Sequence, residues 1–209
     1  MCWNANISLN TFIFGFFATT FGWYNNLFEL PSWLLYQSFL LMQLIEYFVW
    51  SKTLSNSVLS QFAFLVILLQ PILSMLRIGS TTNFQSTYLP RKRLLFVKYV
   101  LLTIYLLTTV FYFATHDHIQ YSMTPSKNGH LSWNWFPEEK GYMFSWVFFL
   151  IFPSILCGKY NEASYMFSTF LITFLLFSNT KTWGSLWCWS FWFAGLYWLI
   201  KVFLKDICI

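Results

Sequence analysis

Long apolar runs separated by short polar breaks dominate the chain. The runs fall at about residues 6–24, 31–50, 58–76, 94–113, 142–157, 163–179 and 183–204, each near the roughly 20 residues a helix needs to cross a bilayer. The breaks carry turn chemistry. Asn25-Asn26 makes a tight turn, and Pro31 opens the second run at a first helical turn, where its missing N–H is tolerated. Pro71 lies inside the third run, where it frees a backbone carbonyl and is expected to kink the helix. Residues 77–93 form a longer break that closes with Pro90-Arg91-Lys92-Arg93. The longest, residues 114–141, holds His116-Asp117-His118 and then His130-Leu131-Ser132-Trp133-Asn134-Trp135. The pattern predicts an all-α bundle of seven transmembrane helices with one longer outer loop, forming a single domain over residues 1–209.

Composition strengthens that reading. Of 209 residues, 57% are hydrophobic, 24% aromatic and 9% charged, with mean hydropathy +0.55. A soluble domain carries about 25% charged residues, so these charges cannot cover a globule of this size, whereas lipid asks for no such cover. Seven crossings nearly exhaust the chain and leave no room for a separate soluble domain. The stretch before the first run has no Lys or Arg and no small-residue cleavage pattern follows it, so the first helix is expected to act as an uncleaved signal anchor. The small residues Gly15, Ala18 and Gly22 form a stripe on that helix where a neighbour can approach closely.

Charge placement orients the bundle. With seven crossings, one side collects Arg77, Arg91, Lys92, Arg93, Lys98, Lys159, Lys201 and Lys205, and the other Lys52, Lys127, Lys140 and Lys181. Eight against four, with a dense cluster in one loop, puts the first side in the cytoplasm: N-terminus outside, C-terminus inside. The net charge of +5 therefore reflects helix ends, and no nucleic-acid partner is expected. Arg91, Lys92 and Arg93 read as a topology signal and a contact to anionic lipid, worth about 1 kcal/mol per charge. Trp23, Trp33, Trp50, Trp133, Trp135 and Trp183 lie near predicted helix ends, where amphipathic rings prefer the interface. The last run differs, because Trp187, Trp189, Trp192 and Trp198 pass right through it. They read either as a stacking surface for a flat or hydrophobic ligand or as helix-packing bulk.

Glu46 is the one acidic residue inside a predicted run. A charge in the hydrocarbon region costs roughly 2.5–3.5 kcal/mol or more, so it faces a partner or a water-filled cavity. On a helix, Gln43 lies about 60° and Trp50 about 40° from it, with Phe39 and Met42 on the same face. Gln70 and Ser74, one turn apart in the third run, are candidate partners across a helix interface. Two readings stay open: a proton or cation site on a transport path, or a neutral carboxyl bonded to a helix neighbour or wet near the outer end. His116, Asp117, His118 and His130 offer imidazole and carboxylate groups for a metal at the outer loop, in no recognised motif; the alternative is solvated loop residues. No predicted helix contains a histidine, which argues against an intramembrane hydrolase. Lys201, at the cytoplasmic end of the last run, has the position of a snorkelling anchor and not of a retinal-bearing lysine. Cys2, Cys157, Cys188 and Cys208 form no CxxC pair, so zinc is not indicated; a Cys2–Cys188 disulfide and four free thiols are both compatible with the topology. No cofactor is expected.

The opening Met1-Cys2-Trp3-Asn4 with Ile7-Ser8-Leu9, followed by Tyr36 and Met42-Gln43-Leu44-Ile45-Glu46, resembles a family of small multi-pass membrane proteins that open with Met-Cys-Trp. They occur in large DNA viruses of algae and protists and in some algae and bacteria. The resemblance covers roughly the first fifty residues and implies that the Cys2-Trp3 opening and the Gln43/Glu46 face belong to a shared design. It implies a viral or host membrane and carries over no catalytic residue. The leading expectation is proton-linked permeation of an ion or small solute at Glu46, Gln43, Gln70 and Ser74. The alternatives are a structural or assembly protein that binds lipids, further copies of itself or partner membrane proteins, and a membrane enzyme built on the outer histidines.

Overall fold

The computed structural model describes residues 4–80, 90–115, 121–135 and 140–207. Among them are seven α-helices: α1 (Ala5–Tyr24), α2 (Leu30–Ser51), α3 (Asn56–Leu76), α4 (Arg91–Thr115), α5 (Lys140–Leu156), α6 (Tyr160–Phe177) and α7 (Trp183–Ile207). A short antiparallel hairpin, β1 (Met123–Pro125) with β2 (Leu131–Trp133), lies between α4 and α5. Among the described residues, three helices are long and apolar enough to cross a membrane: Asn56–Leu76, Arg91–Thr115 and Trp183–Leu204, with mean hydropathies of 2.0, 2.0 and 1.3.

Local chemistry sets the ends. Asn4 caps α1 by accepting the Ile7 N–H at 3.0 Å. Asn26, at φ +54°, ends α1 in a left-handed residue that asparagine tolerates, and Leu27 N–H returns to the Gly22 carbonyl at 3.0 Å. Gly158, at φ +69°, does the same after α5, where Lys159 N–H reaches the Ser154 carbonyl at 2.8 Å. α4 starts at Arg91, directly after Pro90, so the basic triplet expected in the loop forms the helix's exposed first turn. The hairpin turns through Gly129 at φ +78° and pairs Met123 with Trp133.

Side-chain bonds fix the directions of the helices. Trp33 of α2 donates to Thr20 at 3.2 Å and Gln37 to Thr19 at 2.8 Å, so α1 and α2 run antiparallel. Tyr105 of α4 bonds the Leu68 carbonyl of α3, and Tyr165 of α6 bonds the Ser190 carbonyl of α7. Neighbours in sequence therefore alternate in direction, and odd-numbered helices lie parallel. The small-residue stripe on α1 works as expected. A side chain at Gly15 would collide with Leu40 of α2, and a Cβ added at Gly195 of α7 would lie 3.3 Å from the Ala18 Cβ and 3.6 Å from the Gly15 Cα.

Side chains of neighbouring helices bond backbone carbonyls near both interior prolines. Pro71 offers no N–H to the Ile67 carbonyl four residues back; the Trp146 indole of α5 donates there instead, at 3.0 Å. Pro153 likewise offers no N–H to the Phe149 carbonyl, and the next carbonyl along, that of Leu150, accepts from Ser74 of α3 at 2.6 Å. The break in α3 is thus closed by a side chain of α5. α2 is buried along most of its length, whereas α4 buries only Leu94, Leu101 and Tyr105 and turns large apolar side chains outward.

Trp146→Phe is expected to cost about 1–3 kcal/mol, the penalty of an unpaired buried carbonyl. In a Pro71→Ala background the restored N–H serves Ile67, so the same substitution should cost clearly less. Unfolding in detergent micelles measures both; equal losses in the two backgrounds would reduce Trp146 to a packing residue.

Candidate functional site

Two polar clusters lie at opposite ends of α2. The first joins four helix ends. Arg77, read from the sequence as a loop cation, caps α3 and is fully buried. Its Nη1 and Nη2 donate to Glu162 Oε1 and Oε2 at 2.5 and 2.7 Å, in a two-pronged ion pair. Its Nε donates to Ser32 at 2.9 Å and Nη1 also to Ser154 at 3.1 Å. Glu162 further accepts from Tyr36 at 2.9 Å and Ser154 at 3.2 Å. A second pair sits alongside: Lys159 Nζ donates to Glu29 at 2.8 Å and to Ser32 at 3.1 Å. Burial alone would raise the Glu29 carboxyl, but the Lys159 ammonium and the Arg77 guanidinium hold it below its ordinary value. Two cations and two anions cancel, so the cluster carries no net charge. Sequence reasoning missed it because Glu162 falls in the short break between the runs at 142–157 and 163–179, whereas it lies in the first turn of α6. The overlooked signal was the recurrence of Ser32, Tyr36, Arg77, Ser154 and Glu162 at helix ends that alternation brings to one side.

The second cluster holds Glu46, which is fully buried. Gln43 donates to its Oε2 at 3.4 Å and the Trp133 indole to its Oε1 at 3.2 Å, and Gln43 also reaches the Ser185 carbonyl of α7 at 3.5 Å. The hairpin delivers Trp133. Asn56 grips both the N–H and the carbonyl of Met123 at 3.1 and 2.7 Å, and Asn128 donates to Thr180 and Thr182 before α7. Gly184 lets the Trp133 ring in, since a Cβ there would lie 2.5 Å from it. Trp133, Trp135 and Trp183, expected at the interface, are buried in the protein.

The other expected partners are elsewhere. Ser74 is committed to the Leu150 carbonyl, and both amide atoms of Gln70 are buried without a hydrogen-bond partner, so neither bonds Glu46. His130 lies in the hairpin, its ring edge-on to Phe177 at 6.2 Å, while His116, Asp117 and His118 lie outside the described residues. Among the described residues no three His, Cys, Asp or Glu gather around a common point. Arg91, Lys92 and Arg93 are exposed. Cys188 is buried in α7, and Cys2 lies outside the described residues.

Aromatic side chains fill the roughly 15 Å of α2 between Tyr36 and Glu46. Phe39 stacks on Phe191 with centroids 3.7 Å apart, and Trp187 packs edge-on against Phe39, Trp146 and Phe170. On the other side of this block, next to the ion pairs, is a cavity of about 690 Å³ between α2, α6 and α7. Glu46 does not line it; Tyr36, Lys159, Glu162, Trp198 and Lys201 do. No family model, no curated protein and no solved structure matches the chain.

Two outcomes follow for the clusters. Glu162→Gln is expected to destabilise the fold by about 3–5 kcal/mol by stranding Arg77, while the double change Arg77→Met with Glu162→Met should cost less than either single change. Denaturation in micelles reads this, and additive losses would contradict a coupled pair. Burial pushes His130 down to about 4, below its ordinary value near 6.5. The folded hairpin thus holds a neutral ring, and its stability should be complete above about pH 6.5 and fall as pH drops toward 4. Protection factors of the Leu131 and Trp133 amides, hydrogen exchange corrected for its intrinsic base catalysis, should fall between pH 7 and 5 in the wild type and much less in His130→Phe.

Proposed function

We propose that the chain is an integral membrane protein whose seven helices all cross the bilayer, with the Arg77/Glu162 end in the cytoplasm, and that it acts as a structural, non-conducting element of that membrane. Alternating helix directions, apolar side chains around the perimeter and charges gathered at the two ends support the crossing. The excess of Lys and Arg at one end supports the orientation.

The observation that carries the non-conducting reading is the enclosure of Glu46. Its two carboxylate oxygens accept from Gln43 and Trp133, the hairpin covers it from one side, and the Phe39–Phe191–Trp187 block closes the other. A carboxylate built to pass protons or cations needs water on both sides at some stage. Here it serves instead as the acceptor that fastens the hairpin to the bundle. The metal-dependent enzyme reading draws no support from the described residues, where His130 packs against an aromatic ring.

Purified protein in liposomes under a pH gradient should give no proton or cation flux above protein-free vesicles, for wild type and for Glu46→Gln alike. Wild-type flux abolished by Glu46→Gln would overturn the proposal in favour of a titrating permeation site. Flux that survives the substitution would overturn it in favour of a path elsewhere.

A further inference from the structure

The cavity between α2, α6 and α7 has a charge balance that differs from its surroundings. Of the ionisable groups on its wall, Glu162 is saturated by Arg77, Tyr36 and Ser154, and Lys159 is held by Glu29 and Ser32. Lys201 has no carboxylate partner among the described side chains. It does not reach away from the wall either. Its Nζ lies 4.9 Å from the Tyr197 ring centroid and 5.5 Å from that of Trp198, within range of a cation–π contact that keeps the ammonium at the cavity edge.

The remaining wall is aromatic. Phe28, Phe191 and Trp198 line it, and the hydroxyls of Tyr36 and Tyr165 are committed inward, to Glu162 and to the Ser190 carbonyl. Those two residues therefore offer ring surface and no free polar atom. Exposed residues of its lining include Phe193 and Tyr197 of α7, each about half exposed, and Tyr160 and Asn161 at the start of α6. A volume of about 690 Å³ lies within the roughly 300–1,000 Å³ typical of small-molecule sites.

A cation without a carboxylate partner among the described side chains, over a largely aromatic cleft, complements an amphiphile with one negative headgroup and a hydrocarbon chain. We propose that this cleft binds an anionic membrane phospholipid, with the headgroup phosphate at Lys201 and an acyl chain lying against the rings of Phe28, Phe191 and Trp198. The exposed rings of Phe193 and Tyr197 beside the cleft favour a lipid from the surrounding bilayer over a soluble anion. Anionic lipids of the cytoplasmic leaflet gather at basic side chains, and Lys201 lies at the end assigned to that leaflet. The inference rests on the membrane-embedded reading of the bundle, but not on whether the protein conducts.

The test uses the full chain in nanodiscs of phosphatidylcholine, titrated with bromine-labelled phosphatidylglycerol or bromine-labelled phosphatidylcholine. Bromine on the acyl chain quenches nearby indoles, and the part of the quenching missing in Trp198→Phe reports the cleft. The anionic lipid should saturate that component at a mole fraction about tenfold lower than the zwitterionic one, a difference of about 1.4 kcal/mol. Lys201→Gln should erase the preference, Lys52→Gln at the opposite end should leave it intact, and Ala194→Phe should block quenching by narrowing the cleft with Lys201 in place. Equal quenching by the two lipids, or a preference that survives Lys201→Gln, would overturn the proposal. Displacement by millimolar inorganic phosphate would overturn the lipid as source and leave a soluble anion site. A chain that does not enter nanodiscs fails the membrane reading, whereas an embedded chain without headgroup preference fails this inference alone.

Discussion

The bundle depends on an ion pair with little water around it. Arg77 brings a full positive charge to the end of α3, at a place with no exposed surface, and only a carboxylate with matched geometry makes that tolerable. Glu162 supplies it with both oxygens, and Ser32, Ser154 and Tyr36 occupy the remaining donor and acceptor positions. Because these five residues come from α2, α3, α5 and α6, meeting one electrostatic demand ties four helices at a common level. The adjoining Lys159–Glu29 pair and the glycine turn at Gly158 keep the α5–α6 connection folded over the same spot.

The opposite end solves the same problem with neutral donors. Glu46 accepts from an amide and an indole. That choice makes the hairpin part of the structure and not a loose loop, since Trp133 reaches the carboxylate only if β2 lies flat over the start of α7 and position 184 has no side chain. Between the two polar ends the core is rich in aromatic side chains, with Trp187, Phe39 and Phe191 packed on one another.

Polar backbone groups inside the bundle follow the same rule as the charges. Prolines interrupt α3 and α5; the Ile67 carbonyl freed by Pro71 is taken by Trp146 of α5, and Ser74 of α3 bonds the Leu150 carbonyl near Pro153. α3 and α5 are tied together close to both interruptions. The cavity beside α7 is different in kind, because the ammonium of Lys201 on its wall has no carboxylate partner among the described side chains.

Hydropathy and turn residues alone determined the helices and their breaks: Asn26, Pro31 and Pro90 stand where chains turn for reasons local to each residue. The small-residue stripe of α1 and the polar face of Gln43 and Glu46 were legible for the same reason, since residues three and four apart share a helix face whatever surrounds them. Tertiary structure decided which polar groups meet. Arg77 and Glu162 are 85 positions apart, and Glu46 and Trp133 are 87. Gln70 and Ser74, equally plausible as partners of Glu46 in the sequence, point to other company or none. Whether a charge near a helix end stays in water or is buried depends on which other helix ends pack beside it, and that is set by side-chain shapes far along the chain.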